Sequence, residues 1–211
     1  MNTTRLSLLA ITAAVAGTML CTGALAQAYP TKPIRIVVPF PPGGGTDTIA
    51  RETSQKVASA TGWTFVIDNK PGAGGNLGVD AVAKSPADGY TIVIGQTSNL
   101  AINPTLYAKM PYDSQKDLAP IVLLANAPLV MVTGIGTPLK TLGDAVGAAR
   151  AKPGTMNFAS PGNGTVAHLT SVMFQKAAGI QTQHIPYKGT GPAIVGLLGG
   201  EYHYNFMGLT G

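Results

Sequence analysis

The sequence predicts an α/β protein built on parallel sheets, and three observations carry that prediction. Short apolar runs typical of buried parallel strands alternate with segments of helical character. Glycine-rich loops directly follow several of these runs, beginning with PFPPGGGTD at residues 39–47. Hydrophobic residues make up 45% of the 211 residues and charged residues only 11%, which favours a globular chain over a disordered one. This length allows one sizeable α/β domain or two small ones.

The amino-terminal segment is typical of an export signal. Arg5 supplies a positive charge, residues 8–20 are apolar, and residues 24–26 read Ala-Leu-Ala, a small-residue cleavage pattern. We therefore expect a signal peptide over residues 1–26, because the apolar run is too short and wrongly flanked for a permanent membrane span. Cys21, the only cysteine, lies inside this segment without the small residues before it that a lipid anchor needs. The remaining chain is expected to have no disulfide and no thiolate metal site.

Charge and composition exclude one class of partner. The whole chain carries 14 basic and 9 acidic residues, a formal charge of +5, and loss of Arg5 would leave 13 against 9, or +4. This balance mildly favours anionic partners. The basic residues are scattered singly and aromatic residues are only 6%, so nucleic-acid binding is not expected.

The first glycine loop (residues 39–47) joins a predicted strand over 34–38 to a helix predicted to run to about residue 61. Its prolines stop the strand, and its glycines permit a positive φ and close approach of a ligand to the backbone. Thr46 or Asp47 is expected to cap the helix, whose first amides point back toward the loop. Such a turn suits an anion, although a plain strand-to-helix turn would look the same.

A second glycine loop (residues 68–78, DNKPGAGGNLG) follows a predicted strand over 64–67. Asn76 is the expected cap of a helix that continues to Lys84. A third strand is predicted over 90–94 and ends in the polar run 95–99. Ligands of parallel α/β sheets bind outside the carboxyl ends of the strands, where these loops lie.

The middle of the chain is predicted to contain a domain boundary. Residues 118–125 and 129–133 both have strand character, but the intervening Asn-Ala-Pro leaves no room for a crossover helix. We therefore place a hinge at residues 126–128, with a first α/β lobe over 27–125 and a second over 126–211. A helix is predicted from about residue 142 to 150.

The opening construction then recurs twice. A third glycine loop (residues 160–165, SPGNGT) follows a strand over 156–159 and precedes a helix whose expected apolar face is Val166, Leu169, Val172 and Met173. A fourth glycine loop (residues 187–192, YKGTGP) follows a strand over 183–186 and precedes a helix over 193–198. One more strand is predicted over 202–206.

Motifs for cofactors, metals and nucleophiles are weak. Residues 162–167 match the G-x-G-x-x-A pattern of dinucleotide sites, but Thr182, Gln183 and His184 stand where an acidic residue should follow. We keep the anion-binding half of that motif and expect no cofactor. The three histidines lack metal-ligand spacing, so no metal is expected. His168 lies one turn after Thr165 and is expected to face the loop.

Taken together, the segments resemble the Bug family of periplasmic solute-binding proteins, the receptors of tripartite tricarboxylate transporters. The resemblance is carried in order by YPTKPIRIVVPFPPGGGTDTIAR, VIDNKPGAGGNLGVDAVAKSPADGYTI, NPTLYAKMPYD, LAPI, MNFASPGNGTVAHL and HIPYKGTGPAIVGLLGG. It implies a two-lobed periplasmic-binding-protein fold of type II, a Venus flytrap, that closes on a small carboxylate. It also implies a periplasmic location, no enzymatic activity, membrane transporter subunits as partners, and a monomer when complete.

The resemblance also implies a set of ligand-binding positions. Family carboxylates are held largely by backbone amides, hydroxyls and bridging water, which agrees with the few basic side chains near these loops. Asp47 is expected to act as a structural cap, because a carboxylate repels an anion. The implied positions are Phe40, Gly43, Gly44, Thr46, Asp47, Ala73, Gly74, Gly75, Thr97 and Ser98 in the first lobe, and Ser160, Gly162, Gly164, Thr165, His168, Tyr187 and Lys188 in the second.

Family members continue beyond the point where this sequence stops, in a segment that returns to the first lobe. We therefore expect a fold incomplete at the C-terminus, with exposed apolar surface and an unpaired sheet edge. Two alternative functions stay open at this point. One is an exported hydrolase that uses Ser160 or Ser98 as nucleophile, and the other is a sensor that presents the ligand to a signalling partner. The identity of the carboxylate also stays open among dicarboxylates, tricarboxylates, acidic amino acids and aromatic acids.

Overall fold

The computed structural model describes residues 28–208, so the predicted signal peptide lies outside the described residues. Residues 28–31 belong to a separate amino-terminal unit, and the chain from Lys32 onward forms one compact unit. The architecture of that second unit is mixed α/β, as predicted. None of the helices in the described part of the chain is long and apolar enough to cross a membrane.

The first sheet has three parallel strands in the order β2-β1-β3. These strands are β1 (Ile34–Val38), β2 (Phe65–Asn69) and β3 (Thr91–Val93). Helix α1 (Gly45–Thr61) follows β1, and α2 (Asn76–Ala83) follows β2 after a short 3-10 turn at Ala73–Gly75. The core joins Ile36 and Val38 to Ala50 of α1. The sheet therefore packs against α1 through branched apolar side chains of its central strand.

A wide, π-type helical turn follows β3, which the sequence analysis treats only as a polar run. It spans Ser98–Ile102 and continues into α3 (Asn103–Leu106). Ser98, Asn99 and Asn103 are fully buried. Polar residues at the carboxyl end of a strand are thus enclosed in the fold rather than exposed in a loop.

The second sheet has four strands in the order β4-β7-β5-β6. The strands β5, β6 and β7 are parallel, while β4 pairs antiparallel with β7. Its strands are β4 (Leu129–Thr133), β5 (Asn157–Ser160), β6 (Gln183–Pro186) and β7 (Tyr204–Gly208). Its helices are α4 (Leu142–Ala151), α5 (Val166–Ala178) and α6 (Thr190–Leu198). The two sheets fall on either side of the predicted boundary between residues 125 and 126, which stays a prediction.

The predicted strand over residues 118–125 is wrong. Residues 118–128 adopt no regular structure, and Ile121, Val122 and Leu123 are 75%, 70% and 74% exposed. An apolar run becomes a strand only when a neighbouring strand pairs with its backbone. No strand within residues 28–208 pairs with this segment.

The predicted apolar face of α5 is also wrong. Val172 and Met173 are 43% and 70% exposed, whereas Ala167 and Ser171 are buried and Phe174 packs against the core. The phenylalanine ring meets Tyr204 edge to face at a centroid distance of 5.9 Å. Small residues let the helix approach the sheet closely, so size and not hydrophobicity alone selects the buried face.

Candidate ligand-binding site

The first glycine loop is held by the carboxylate of Asp47. Asp47 Oδ2 accepts the Gly43 N–H at 2.9 Å and the Arg51 Nε–H at 2.9 Å. Asp47 Oδ1 accepts from the Asn69 amide at 2.9 Å, and the same amide donates to the Phe40 carbonyl at 3.0 Å. Helix start, loop and strand β2 are therefore tied together through one buried carboxylate.

The predicted cap of α1 needs correction. Its N-cap is Gly44, and no side chain caps the helix there. Asp47, the third helical residue, lies in the first turn and accepts the N–H of Gly43, one residue before the N-cap, whereas a capping box would use the N-cap N–H itself. Thr46 is buried, and its hydroxyl accepts a hydrogen bond from the side-chain amide of Gln96. The hydrogen bonds to Asp47 lower its pKa to about 2 against the opposing effect of burial.

The second glycine loop is confined by four successive residues with positive φ. Ala73 is among them at +49°, followed by Gly74 at +65° and Gly75 at +95°. A Cβ on Gly75 would lie 2.4 Å from Asn99 Nδ2 and 3.1 Å from the Phe40 ring. Glycine is required here by conformation and by space, and the Phe40 ring packs beside this loop.

A network of buried asparagines under the second loop is absent from the sequence predictions. Asn103 donates to Asn76 Oδ1 at 2.8 Å, and the Tyr112 hydroxyl donates to the Asn99 carbonyl at 2.6 Å. Asn76 is therefore not the cap of α2 that the sequence predicts, because Gly75 holds that position. The only sequence signal for the network is the recurrence of asparagine beside glycine-rich turns.

The third glycine loop is held by neutral groups. The Thr165 hydroxyl donates to the Gly162 carbonyl at 2.7 Å and accepts the His168 N–H at 3.4 Å, so Thr165 caps α5. The Gly164 N–H donates to His168 Nδ1 at 3.3 Å, so His168 faces the loop as expected. The Ser160 hydroxyl lies 3.0 Å from the Gly162 carbonyl.

Loops from the two sheets meet within this unit. The Tyr107 hydroxyl donates to the Asn163 carbonyl at 3.3 Å, and a Cβ on Gly74 would lie 2.8 Å from the same oxygen. A Cβ on Gly164 would lie 2.5 Å from Asn103 Oδ1. The second and third loops therefore pack closely, with no space for side chains at their glycines.

The first and fourth loops make a second meeting point. A Cβ on Gly189 would lie 2.6 Å from the Pro41 side chain, and one on Gly44 would lie 3.8 Å from Thr190 Cβ. Gly44 and Gly189 are the N-caps of α1 and α6. The amino-terminal ends of these helices, one from each sheet, consequently converge.

The remaining sequence-predicted positions differ in accessibility. Ser98 is fully buried with no hydrogen-bond partner for its hydroxyl, while Thr97 is exposed. The Tyr187 hydroxyl donates to Glu201, whose carboxylate raises the pKa of Tyr187 to about 12. The structure thus directs the Tyr187 ring to Glu201, and Lys188 is exposed.

No group of three or more metal-ligating side chains lies together within residues 28–208. The described residues also give the serine alternative little support. Ser160 lies 2.7 Å from His184 Nε2, as a nucleophile lies near its base, but Ser160 is fully buried. Ser160 lies on β5 and His184 on β6, and neither strand contains a carboxylate that could orient the histidine.

Comparisons with known proteins identify the family. The model described as "Tripartite tricarboxylate transporter family receptor" (TctC) matches residues 49–210. The chain is 42% identical over 202 residues to protein BugT of Bordetella pertussis, covering 95% of this chain and 61% of BugT.

Solved structures give the same result. A protein of R. palustris solved with adipate superposes with a TM-score of 0.84 at 34% identity, over 86% of this chain and 61% of that one. MatC from Rhodopseudomonas palustris, solved with bound malate, gives 0.79 at 29% identity, over 85% and 61%. The chain spans about three fifths of the length of these relatives.

These matches confirm the predicted two-lobed periplasmic-binding-protein type of fold, and the family that they identify is one of receptors and not of enzymes. The chain belongs to the Bug/TctC family of tripartite tricarboxylate transporter receptors, whose members bind solutes.

Proposed function

We propose that this chain is the binding portion of a periplasmic receptor that captures a small carboxylate between its glycine loops and delivers it to a tripartite membrane transporter. The observation that carries the proposal is the convergence of helices α1 and α6, from different sheets, at Gly44 and Thr190. The first amides of each helix have no intrahelical acceptor, and the helix dipole makes both ends attractive to an anion. Two such ends facing each other suit a ligand that carries two carboxylates.

The chemistry around these loops favours capture by backbone donors. The guanidinium of Arg51 is already engaged by Asp47, so it is not free to clamp a ligand carboxylate. Asp47 directs its oxygens to protein donors, which agrees with the structural role expected from sequence. Relatives solved with adipate and with malate support a dicarboxylate as the ligand class.

The proposed residues in contact with ligand are the loop positions themselves. Phe40 and Gly75 lie together on the side of the first sheet, where Gly44 faces Thr190, and Gly164 and Thr165 lie on the side of the second. The family description supports a transporter partner, and the match to periplasmic binding proteins supports a periplasmic location. Recovery of transporter subunits on the immobilised chain would separate delivery from sensing.

A thermal-shift screen tests the proposal most simply. Purified chain is heated with dicarboxylates, citrate-like tricarboxylates, acidic amino acids and aromatic acids at pH 7.5. We expect at least one class, led by adipate or malate, to raise the melting temperature, because a ligand that binds only the folded state stabilises it by mass action. A bound acid recovered chemically unchanged supports a receptor, whereas turnover, or a flat response across all four classes from folded protein, would contradict it.

A further inference from the structure

Three stacked rings lie beneath the third glycine loop. His168 of α5 and His184 of β6 stack at a centroid distance of 4.1 Å and an interplanar angle of 14°. Phe158 of β5 continues the stack, 4.8 Å from His184, and is almost fully buried. The imidazole pair therefore joins the helix after the loop to the sheet before it.

Both imidazoles also contact the loop by hydrogen bonds. His168 Nδ1 accepts the Gly164 N–H, which assigns its ring as neutral with the proton on Nε2. His184 Nε2 lies 2.7 Å from the Ser160 hydroxyl, at the residue that begins the loop. Each end of the loop is thus fixed by a different ring of the pair.

The described elements that surround the two rings supply no carboxylate to stabilise a positive charge on either of them. Strands β5, β6 and β7, helix α5 and the loop itself contain no carboxylate. Their other titratable side chains are Tyr204, whose pKa burial raises, and Lys176 in the last turn of α5. Tyr107 reaches the loop from the first sheet, Lys188 is exposed in the fourth loop, and His203 accepts the Asn157 N–H of β5.

We propose that His168 and His184 are positioning residues for the third glycine loop, and that their neutral stacked pair makes ligand capture depend on pH. This inference rests on the proposed function for its effect on ligand, but not for its effect on the loop. Protonation of His168 places a hydrogen on Nδ1, which then faces the Gly164 N–H, donor against donor. The loop must shift, and its backbone donors leave the geometry that a carboxylate requires.

The direction in which pH changes the stability of the loop follows from the pKa shifts of the two rings. Burial lowers the pKa of His168, and burial together with the neighbouring His168 lowers the pKa of His184 to about 4, from an ordinary value of 6.5. The unfolded chain then binds more protons than the folded chain below pH 6.5. The pair stabilises the loop fully above pH 6.5 and loses that effect as the pH falls toward 4.

The loop is tested on ligand-free protein labelled with ¹⁵N-glycine. We expect the Gly164 amide resonance to move on acidification with a midpoint below pH 6.5, together with the histidine ring signals of His168. In H168Q, which removes the ring that accepts the Gly164 N–H, this movement should be lost. The matched control H203Q alters an exposed histidine outside the stack and should leave the Gly164 midpoint unchanged.

A Gly164 amide that stays constant from pH 7.5 to 4.5 in folded wild-type protein would overturn the inference. So would a Gly164 amide that moves in H168Q with the same midpoint as in the wild type. These results need no ligand, so they stand even if the proposed function fails.

Binding supplies the second readout. Affinities for adipate and malate are measured at pH 7.5 and 5.5, and the wild-type affinity should fall by about fivefold or more. H203Q should show the same fall, whereas H168Q should show a smaller one, because the ring that titrates beside Gly164 is gone. Comparing the two variants removes the contribution of the acids' own titration. Binding that tightens on acidification would contradict the inference, while no binding at pH 7.5 would contradict only the proposed function.

Discussion

The first and third glycine loops have the same position in their sheets and are held in place by opposite chemistry. Each joins the carboxyl end of a parallel strand to a helix start. The first is held by an ionised carboxylate, Asp47, whose partners are Gly43, Arg51 and Asn69. The third is held by the hydroxyl of Thr165 and the neutral ring of His168. A glycine loop at the carboxyl end of a strand can therefore be held in place either by a charged side chain or by neutral ones.

Removing the carboxylate of Asp47 should lower the free energy of unfolding more than any other single change considered for these loops. Asp47→Ala removes four hydrogen bonds of a buried carboxylate. It leaves the Gly43 N–H without its acceptor and the Asn69 amide with only the Phe40 carbonyl. We expect a loss of about 2–3 kcal/mol in the free energy of unfolding, measured by urea denaturation.

Glu52→Ala, an exposed position on the same helix, is the matched control for this change. It should stay within about 0.5 kcal/mol of the wild type. Equal effects of the two alanine variants would remove Asp47 from its central role in the first loop.

The close approach of the second and third loops is tested by a pair of glycines with the same backbone conformation. Gly164 has a φ of +76° and Gly154 a φ of +75°, but only Gly164 has atoms within reach of an added Cβ. Gly154→Ala should cost about 1–2 kcal/mol for the left-handed conformation alone. Gly164→Ala should cost clearly more, because Asn103 is held by Asn76 and cannot move freely.

The free energies of unfolding of both variants are measured by urea denaturation. Because both glycines have the same φ, the difference between the two losses gives the cost of the steric contact at Gly164 alone. A Gly164→Ala variant no less stable than Gly154→Ala would mean that the two loops are not packed against each other in solution.

Local patterns carry most of what the sequence predicts correctly. Strand β1 and the glycine loops are specified by residues close together in the chain, so periodicity and turn chemistry suffice to find them. The resemblance adds the arrangement in two lobes. His168 facing its loop is also a local result, one helical turn from its cap.

The features that the sequence predicts wrongly or not at all depend on contacts between residues distant in the chain. The run 118–125 has the composition of a strand, but a strand needs a neighbour, and composition does not supply one. The buried face of α5 is chosen by the space left by Phe158 and Tyr204, and the asparagine network joins residues up to 36 positions apart. Neither is visible in a local window.

Removing the Thr165 hydroxyl from the third loop should lower the free energy of unfolding less than removing the Asp47 carboxylate from the first. Thr165→Ala loses the cap of α5 and the hydrogen bond to the Gly162 carbonyl. We expect about 1 kcal/mol of destabilisation by urea denaturation, and recovery of most of it in Thr165→Ser, which keeps the hydroxyl. A serine variant as unstable as the alanine variant would indicate that the threonine methyl group, and not the cap, is responsible.

Acidification should separate the two loops without any substitution. The lowered pKa of Asp47 means that its stabilising effect is present above pH 3.8 and is lost only as the pH falls to about 2. The histidine pair loses its effect between 6.5 and about 4. Hydrogen exchange at pH 5 should therefore show a small loss of protection at residues 162–168 with none at 43–47, and a simultaneous loss at both would contradict the contrast.

Calorimetric titration at pH 7.5 tests the central claim, that facing glycine loops bind a carboxylate through backbone donors, most directly. Adipate and malate are compared with their uncharged diamides, which keep the carbon skeleton but remove the anionic groups that helix ends attract. The account predicts saturable binding of at least one diacid and no measurable binding of its diamide. Diamides that bind as tightly as the acids, or a folded chain that binds neither acid, would contradict it.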